Sequence, residues 1–475
     1  KMVFSSLLFL FYFLPIFLFL YFTFSNYRNL ILLVFSILFY AWGEPSFVFL
    51  LLGSIVGNHI LGLKIGFSSV RLRKLYLIIG VSLNLLLIAY YKYAIFFVNS
   101  LFLAFHKFGF NFNVKLPDIS LPLGISFFTF QAISYLVDVY RGDVKPAKRF
   151  SDVALYISMF PQLIAGPIVR YKTISSEIQK RYISFEDVSV GIRIFLVGMG
   201  QKVLIANNVA IAADEIFSLR VADLNILISW FGVICYSLQI YFDFSGYSNM
   251  AIGLGRMMGF TYPQNFNYPY ISKSITEFWR RWHISLSSWF RDYLYISLGG
   301  NRKGPIRTYF NLFIVFFLCG LWHGASFTFV VWGLFHGCIL VIERLGVSKL
   351  LTKIPVLAQY TYALFFTAIG WCLFRAESLG HAFGFIKAMF GLQISSADLS
   401  VLQFARPQVL VFFILGLIFS IPIVPFLERY FEKQKEGWFR RSATWVYMSV
   451  YVVCSLIILL MLSGNTYNPF IYFRF

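Results

Sequence analysis

The chain has 475 residues, of which 59% are hydrophobic and only 13% are charged, and its mean hydropathy is +0.74. This composition excludes a soluble domain, which would need more charged residues at its surface. The formal net charge is +20, from 40 lysines and arginines against 20 acids. Basic residues near helix ends anchor a membrane protein and attract the anionic lipids of the bilayer, and an anionic donor or polymer is a second class of partner. Nucleic acid is not an expected partner, because the sequence contains no basic soluble module.

Apolar windows recur along the chain, and many approach the ~20 residues that a helix needs to cross a bilayer. They lie at residues 3–22, 29–42, 45–63, 75–98, 121–140, 152–169, 189–213, 226–242, 245–260, 308–341, 358–375, 408–427 and 444–463. We expect the first window to be a membrane helix and not a cleavable signal peptide, because no basic n-region precedes it. The predicted fold class is all-α, a polytopic helical membrane protein with a single membrane domain over residues 1–475.

Basic loops predict which side of the membrane each segment faces. The loops at 64–74 and 141–149 are both rich in lysine and arginine, so both are expected on the cytoplasmic side. The N-terminus then lies outside, provided that windows 29–42 and 45–63 are separate spans.

One window does not fit a simple crossing. Basic residues both precede and follow residues 152–169, and Pro161, Gly166 and Pro167 are poor residues for a helix interior. Broken backbone at membrane depth is tolerated where it is buried in protein or lines a cavity. We therefore expect a re-entrant segment there.

A charged and aromatic block interrupts the apolar pattern. Residues 274–292 are predicted to form one helix, which Ser274 and Glu277 would begin at capping-box spacing. Arginines that snorkel to the headgroups are the structural alternative, but His283 is too short to snorkel. The residues of interest in and just after this block are Trp279, Arg280, Arg281, Trp282, His283 and Arg302.

A second histidine, His323, lies inside the apolar window 308–341, next to Trp322. A buried imidazole needs hydrogen-bond partners, and histidine is the side chain best suited to act as a general base near neutral pH. The residues alone leave two alternatives for His323, catalysis or a buried structural role. His336 would lie on roughly the opposite face of a continuous helix, and we expect a structural role for it.

Gln239 and Asp243 lie one helical turn apart in a further apolar segment. Asp243 is expected to pair with a buried arginine or to orient a histidine. The candidate arginines are Arg280, Arg281 and Arg291. The five cysteines have no metal-ligand spacing, so no metal site is expected.

Several motifs resemble those of the membrane-bound O-acyltransferase family, and within it the bacterial branch of alginate O-acetyltransferase membrane subunits. The resemblance covers nearly the whole chain, and its most specific motifs are the 276–304 block and the Leu321–Gly324 motif. The others are Met2-Val3-Phe4-Ser5-Ser6, Pro122-Leu123-Gly124-Ile125-Ser126-Phe127, Ser134-Tyr135-Leu136-Val137-Asp138-Val139-Tyr140-Arg141, Phe160-Pro161-Gln162-Leu163-Ile164-Ala165-Gly166-Pro167 and Tyr241-Phe242-Asp243-Phe244-Ser245-Gly246-Tyr247. The chain departs from the family at Asn249, where an aspartate is common, so it lacks the negative charge that the family commonly has at this position.

The resemblance implies acyl transfer to a hydroxyl, with His323 as the catalytic histidine and His283 as the second polar residue of the site. It implies a ridge of about 11 transmembrane helices around a funnel with re-entrant and tilted core helices. The donor would be acetyl-coenzyme A or another acyl thioester, with no permanently bound cofactor. The candidate donor- and substrate-binding residues are Arg280, Arg281, Arg302, Trp279, Trp282, Trp322, Gln239 and Asp243.

In this branch the acetyl group crosses the bacterial inner membrane to a periplasmic partner of the SGNH-hydrolase type, which modifies a polysaccharide such as alginate. The N-terminus would be periplasmic. Two alternatives stay open. One is the same chemistry on peptidoglycan, cellulose or teichoic acid. The other is a non-enzymatic polysaccharide or lipid-carrier transporter, which the concentration of intramembrane charge in one late block disfavours.

Overall fold

All regular secondary structure in the described part of the chain is helical. The computed structural model describes residues 3–109, 117, 119–393, 395, 397–432 and 438–464. Its helices are α1 (Phe9–Thr23), α2 (Ser25–Gly43), α3 (Pro45–Phe67), α4 (Val70–Lys107), α5 (Ile125–Arg141), α6 (Phe150–Ser158), α7 (Phe160–Leu163), α8 (Tyr171–Gln179), α9 (Phe185–Phe217), α10 (Ile226–Met257), α11 (Ile275–Arg281), α12 (Ile284–Trp289), α13 (Pro305–His323), α14 (Phe327–Leu351), α15 (Val356–Arg375), α16 (Leu379–Met389), α17 (Pro407–Phe419), α18 (Ile423–Glu432) and α19 (Trp438–Gly464). The predicted all-α class is confirmed.

Several of these helices are long and apolar enough to cross a membrane. Among the described residues there are seven, namely α3, α4, α9, α10, α13, α14 and α15. Helices α1 and α2 meet the same test only together, with a bend of 108° between them, which raises the number to eight if the pair is one span. The chain is therefore a polytopic helical membrane protein.

Two predicted boundaries differ from the structure. Windows 226–242 and 245–260 form one continuous helix, α10. Window 308–341 is instead two helices, because α13 ends at His323 and α14 begins at Phe327. The expectation that His336 lies on the opposite face of one continuous helix is therefore wrong.

The hairpin of α13 and α14 depends on two glycines. A Cβ on Gly320 would lie 2.3 Å from the carbonyl oxygen of Phe329, and a Cβ on Gly333 would lie 2.3 Å from that of Phe316. No larger side chain fits at either position without moving a backbone. Small residues at such a contact let two membrane helices pack closely.

The chain folds into two compact units, of which the first comprises Lys1–Gly191, Ala251–Pro263 and Gly324–Ser326. In this unit the break predicted within residues 152–169 is confirmed, because α6 ends at Ser158 and α7 is a single turn. Arg181 joins distant parts of the unit by donating hydrogen bonds to the Tyr21 hydroxyl at 2.8 Å and to the Met258 carbonyl at 3.0 Å.

The second unit comprises Ile192–Met250, Gln264–His323 and Phe327–Phe475. Here α9 and α10 cross where Gly198 meets Gly246, and a Cβ on either glycine would lie within 2.7 Å of the other's carbonyl oxygen. Just beyond this crossing, residues Gln201–Ala206 of α9 form a π-helical segment, an irregularity that is frequent at functional sites. Both predicted histidines lie in this unit.

Candidate active site

Helix α11, which leads into the site, is held at its N-terminus by two side chains. The Ser274 hydroxyl accepts the N–H of Glu277 at 3.0 Å, which confirms the predicted cap. The buried Glu343 carboxylate accepts the N–H groups of Ile275 at 2.7 Å and Thr276 at 2.9 Å. A carboxylate here satisfies free N–H groups and interacts favourably with the helix dipole. Sequence analysis missed Glu343, although an acid just beyond an apolar window was a signal.

The chain turns sharply where α11 ends. His283 adopts a left-handed backbone conformation, with φ 42° and ψ 54°, which costs a residue other than glycine about 1–2 kcal/mol. A neighbouring segment holds the turn, because the N–H of Asn267 donates to the Arg281 carbonyl at 2.9 Å and that of Ile284 donates to the Asn265 carbonyl at 2.9 Å. The prediction of one helix through the charged block is therefore wrong.

The imidazole of His283 is fully buried. Its Nδ1 lies 3.1 Å from Asn265 Oδ1, and the ring meets Phe244 edge-on with 4.6 Å between centroids. Nε2 is buried without a hydrogen-bond partner among the described residues. His283 lies outside the candidate spans, and burial lowers its pKa to about 3, so the imidazole is neutral at physiological pH.

His323 is the last residue of α13 and is 4% exposed. The sequence placed it in mid-helix, and the structure places it at a helix end. Its imidazole contacts three aromatic rings, with centroid distances of 5.0 Å to Trp322, 5.0 Å to Trp332 and 5.1 Å to Phe374. Trp332 and Phe374 were not predicted, because they come from other helices, α14 and α15.

The structure brings the two predicted histidines to the same indole. The Trp322 ring lies 6.1 Å from the His283 ring and 5.0 Å from the His323 ring, measured between centroids. The result is two buried imidazoles in an aromatic surrounding, both within the second unit. Such a site can move a proton while it keeps bulk water away.

Residues 147–380 match the membrane-bound O-acyltransferase family, and this range contains both histidines. A protein of Pseudomonas putida named as a probable alginate O-acetylase is 42% identical over 499 aligned residues, which cover 100% of both chains. The chain belongs to the membrane-bound O-acyltransferase family. It is thus a membrane O-acyltransferase, and the transporter alternative is set aside.

Two further relatives extend this similarity. A probable alginate O-acetylase of Pseudomonas aeruginosa is 47% identical over 412 residues, which cover 85% of this chain and 78% of the relative. A peptidoglycan O-acetyltransferase of Helicobacter pylori is 36% identical over 428 residues, which cover 82% of this chain and 80% of the relative. Relatives of this acyltransferase therefore carry names that indicate more than one acceptor polymer.

The other predicted aromatic residues lie near the histidines of the same unit. Trp282 packs against Trp371 with 4.9 Å between ring centroids. Trp279 Nε1 donates to His336 Nδ1 at 3.4 Å, and His336 is also in ring contact with Trp332. The tryptophans thus connect the surroundings of His323 with those of His336.

The three arginines predicted to bind the donor differ in their surroundings. Arg281 pairs with Glu277 at 2.8 Å and donates to the Asn267 carbonyl at 3.1 Å, so it is engaged near its own helix. The side chains of Arg280 and Arg302 are exposed. Of the three, these two have the more accessible charge.

Asp243 has a different partner from the one expected. Its carboxylate lies 2.5 Å from Lys202 Nζ, with side-chain exposures of 3% for the lysine and 2% for the aspartate. Arg281 pairs with Glu277, and Arg291 pairs with Asp292. The expected arginine partner is therefore wrong. Gln239, one turn earlier on α10, is buried as well.

At Asn249, where the family commonly has an aspartate, the chain forms a neutral contact. The Asn249 Nδ2 donates to Gln201 Oε1 at 2.8 Å, again between α10 and α9. An amide pair of this kind needs no charge. The structure thus gives no sign of a charged role at position 249, because the partner on α9, Gln201, is also neutral.

Proposed function

We propose that this acyltransferase moves an acetyl group from a cytoplasmic thioester, acetyl-coenzyme A, to a hydroxyl, for the O-acetylation of an extracytoplasmic polysaccharide such as alginate. The observation that carries the proposal is the pair of buried imidazoles, His283 and His323, which both contact the Trp322 ring. The names of the Pseudomonas relatives favour alginate as the acceptor polymer.

In the proposed reaction His323 is the general base. Its imidazole takes the proton of the acceptor hydroxyl as the oxygen attacks the thioester carbonyl carbon. A C–O bond forms and the C–S bond breaks, and the proton then passes to the departing thiolate. The imidazolium formed on the way lies at the C-terminus of α13, where the helix dipole favours a positive charge.

His283 is proposed to accept a hydrogen bond from a second, non-reacting hydroxyl of the acceptor, and so to orient the hydroxyl that His323 deprotonates. Proton transfer and attack depend strongly on such positioning. The wall of the site is proposed to consist of Trp279, Trp282 and Trp322, which exclude water and so limit hydrolysis of the thioester. Gln239 and Asp243 support the site from α10, the latter through its ion pair with Lys202.

The phosphates of the donor are proposed to bind Arg280 and Arg302, with Arg281 next to them. Guanidinium groups bind phosphate oxygens through paired, charge-assisted hydrogen bonds. Support comes from the exposure of both side chains and from the position of Arg280 just before His283 in the sequence. Replacement of either should raise the KM for acetyl-coenzyme A more than it lowers kcat.

The whole chain is proposed to act as one domain in the bacterial inner membrane, with a periplasmic N-terminus. We infer about 11 spans in a ridge around a funnel, with a re-entrant segment at residues 152–169. A periplasmic partner of the SGNH-hydrolase type is proposed to complete transfer to the polymer. Support comes from the bacterial relatives, the basic loops and the broken helix after Ser158.

The test uses the purified full chain in liposomes with acetyl-labelled coenzyme A and an SGNH-type partner. With alginate oligosaccharides outside, we expect release of free coenzyme A and labelled ester on the sugar. Peptidoglycan fragments are run in parallel, since the Helicobacter relative makes them the second candidate acceptor. Label on peptidoglycan alone would overturn the alginate assignment, and no use of the donor with either acceptor would overturn the acetyl-coenzyme A assignment.

A further inference from the structure

We propose that Asn265 is a positioning residue that holds His283 in one orientation and in the Nδ1–H tautomer, so that Nε2 presents a lone pair to a hydroxyl of the acceptor next to the one that His323 deprotonates. This inference deepens the proposed function and rests on it for its catalytic consequence. The orientation of the ring and its tautomer follow from hydrogen bonds among three residues of the second unit, Asn265, His283 and Ser285.

The orientation of the Asn265 amide follows from its neighbours. The backbone N–H of Ser285 lies 3.2 Å from the atom assigned as Oδ1, and a backbone N–H can only donate. The Ser285 hydroxyl lies 2.9 Å from the same atom. Exchange of the amide oxygen and nitrogen would place two donors against each other, so the acceptor oxygen must face this side.

The tautomer of His283 follows from that orientation. Its Nδ1 lies 3.1 Å from the same Oδ1. A contact with an acceptor requires the hydrogen to be on Nδ1, and a neutral imidazole carries only one N–H. Nε2 is therefore the unprotonated nitrogen. It is buried and has no hydrogen-bond partner among the described residues, so it is the nitrogen left for a ligand.

Asn265 also fixes the backbone that carries the ring. Its carbonyl accepts the N–H of Ile284 at 2.9 Å, directly after the left-handed His283. A strained conformation persists where its surroundings determine it, and such strain is frequent at active sites. Phe244 meets the imidazole at 87° from one side. Asn265 thus acts on His283 through both its main chain and its side chain, while it touches no reacting atom itself.

The test combines histidine NMR with kinetics on the full-length protein in liposomes. Nitrogen-15 labelled histidine reports which ring nitrogen is protonated, and the spectrum of His283→Gln identifies the signal of His283. We expect the Nδ1–H form in the wild type. The Nε2–H form in the wild type would overturn the inference, whatever the variants do.

Two replacements and a matched control extend the test. Asn265→Leu removes the acceptor, so we expect a mixture of tautomers and a kcat at least about tenfold lower, with little change in the KM for the donor. Asn265→Asp retains the acceptor and should restore most of kcat, but a carboxylate next to the imidazole raises its pKa and moves the acid limb of the pH–rate profile to higher pH. Asn267→Leu alters an exposed side chain of the same segment and should match the wild type.

The outcomes separate this inference from the proposed function. If the wild type and Asn267→Leu do not transfer acetyl groups, the proposed function fails, and the NMR signal still reports the tautomer. If both are active and Asn265→Leu keeps the wild-type kcat and tautomer, the positioning role is overturned. If Asn265→Leu does not fold, two measurements still test the positioning role. An Nε2–H signal in the wild-type spectrum, or an unshifted acid limb in the pH–rate profile of Asn265→Asp, would overturn it.

Discussion

His283 and His336 are both buried imidazoles among aromatic rings, but their nitrogens have different neighbours. His336 Nδ1 accepts the indole N–H of Trp279, and its Nε2 lies against Gly370, where a Cβ would be 2.7 Å away. His283 Nδ1 is held by Asn265, and its Nε2 has no hydrogen-bond partner among the described residues. Burial therefore does not distinguish a catalytic histidine from a structural one. The free lone pair does. A neutral imidazole has one unprotonated nitrogen, which accepts from Trp279 in His336 and has no partner among the described residues in His283.

The largest effect is expected for His323→Ala. Loss of the general base should lower transfer at least about a hundredfold, while the protein remains in the membrane fraction, because the change only removes a ring from an aromatic cluster. The acetyl content of the exported polymer, measured by mass spectrometry, gives the activity, and immunoblotting gives the abundance. Full acetylation by this variant would remove His323 from the chemistry.

His283→Gln should have the next largest effect. Glutamine keeps an acceptor oxygen but lacks the rigid ring that Asn265 holds in place, so positioning of the hydroxyl is weakened. We expect transfer to fall about tenfold to a hundredfold without being abolished. The initial rate in liposomes is the measurement. A wild-type rate would show that His283, like His336, has only a structural role.

Variants of the Lys202–Asp243 ion pair test whether the pair only stabilises the packing of α9 against α10 or also takes part in the reaction. Asp243→Leu leaves a buried lysine ammonium without this carboxylate, which should destabilise the protein by about 3–5 kcal/mol. The double variant with Lys202→Met removes both charges and should recover most of the stability and of the transfer rate. Thermal unfolding and initial rates are compared side by side. Recovered stability without recovered transfer would give the ion pair itself a direct role in the reaction.

A smaller effect is expected for His336→Phe. The indole N–H of Trp279 loses its acceptor, which should cost about 1–3 kcal/mol of stability. Transfer per folded molecule should stay at the wild-type value, because the unprotonated nitrogen of His336, Nδ1, already accepts the Trp279 N–H. Thermal unfolding and the rate per folded molecule check both parts. A variant that is stable but inactive would show that His336 belongs to the site.

Asn249→Asp should have the smallest effect. The new carboxylate can accept from the Gln201 amide after a rotation of that side chain, so the contact between α9 and α10 is kept. We expect a stability change within about 1 kcal/mol and an unchanged rate. A large gain in rate would mean that the aspartate common in the family has a charged role that this chain has lost.

The sequence predicted the features that depend on local patterns. The Ser274 cap, the break after Ser158 and the all-helical class follow from capping, proline and hydropathy rules. The pairing of Lys202 with Asp243 did not, because it joins residues 41 positions apart on two different helices. The left-handed turn at His283 was also missed, since nothing in a helix-competent sequence marks where a neighbouring segment will interrupt it. Asn265 lay in that segment, outside every motif considered.

The central claim is that His323 performs the proton transfer. Its most direct test compares wild type, His323→Ala and His336→Phe in the same liposomes, with acetyl-labelled coenzyme A and acceptor in excess, by the rate of coenzyme A release. We expect equal rates for wild type and His336→Phe, and a rate at least about a hundredfold lower for His323→Ala. A His323→Ala rate equal to that of the wild type would contradict the claim.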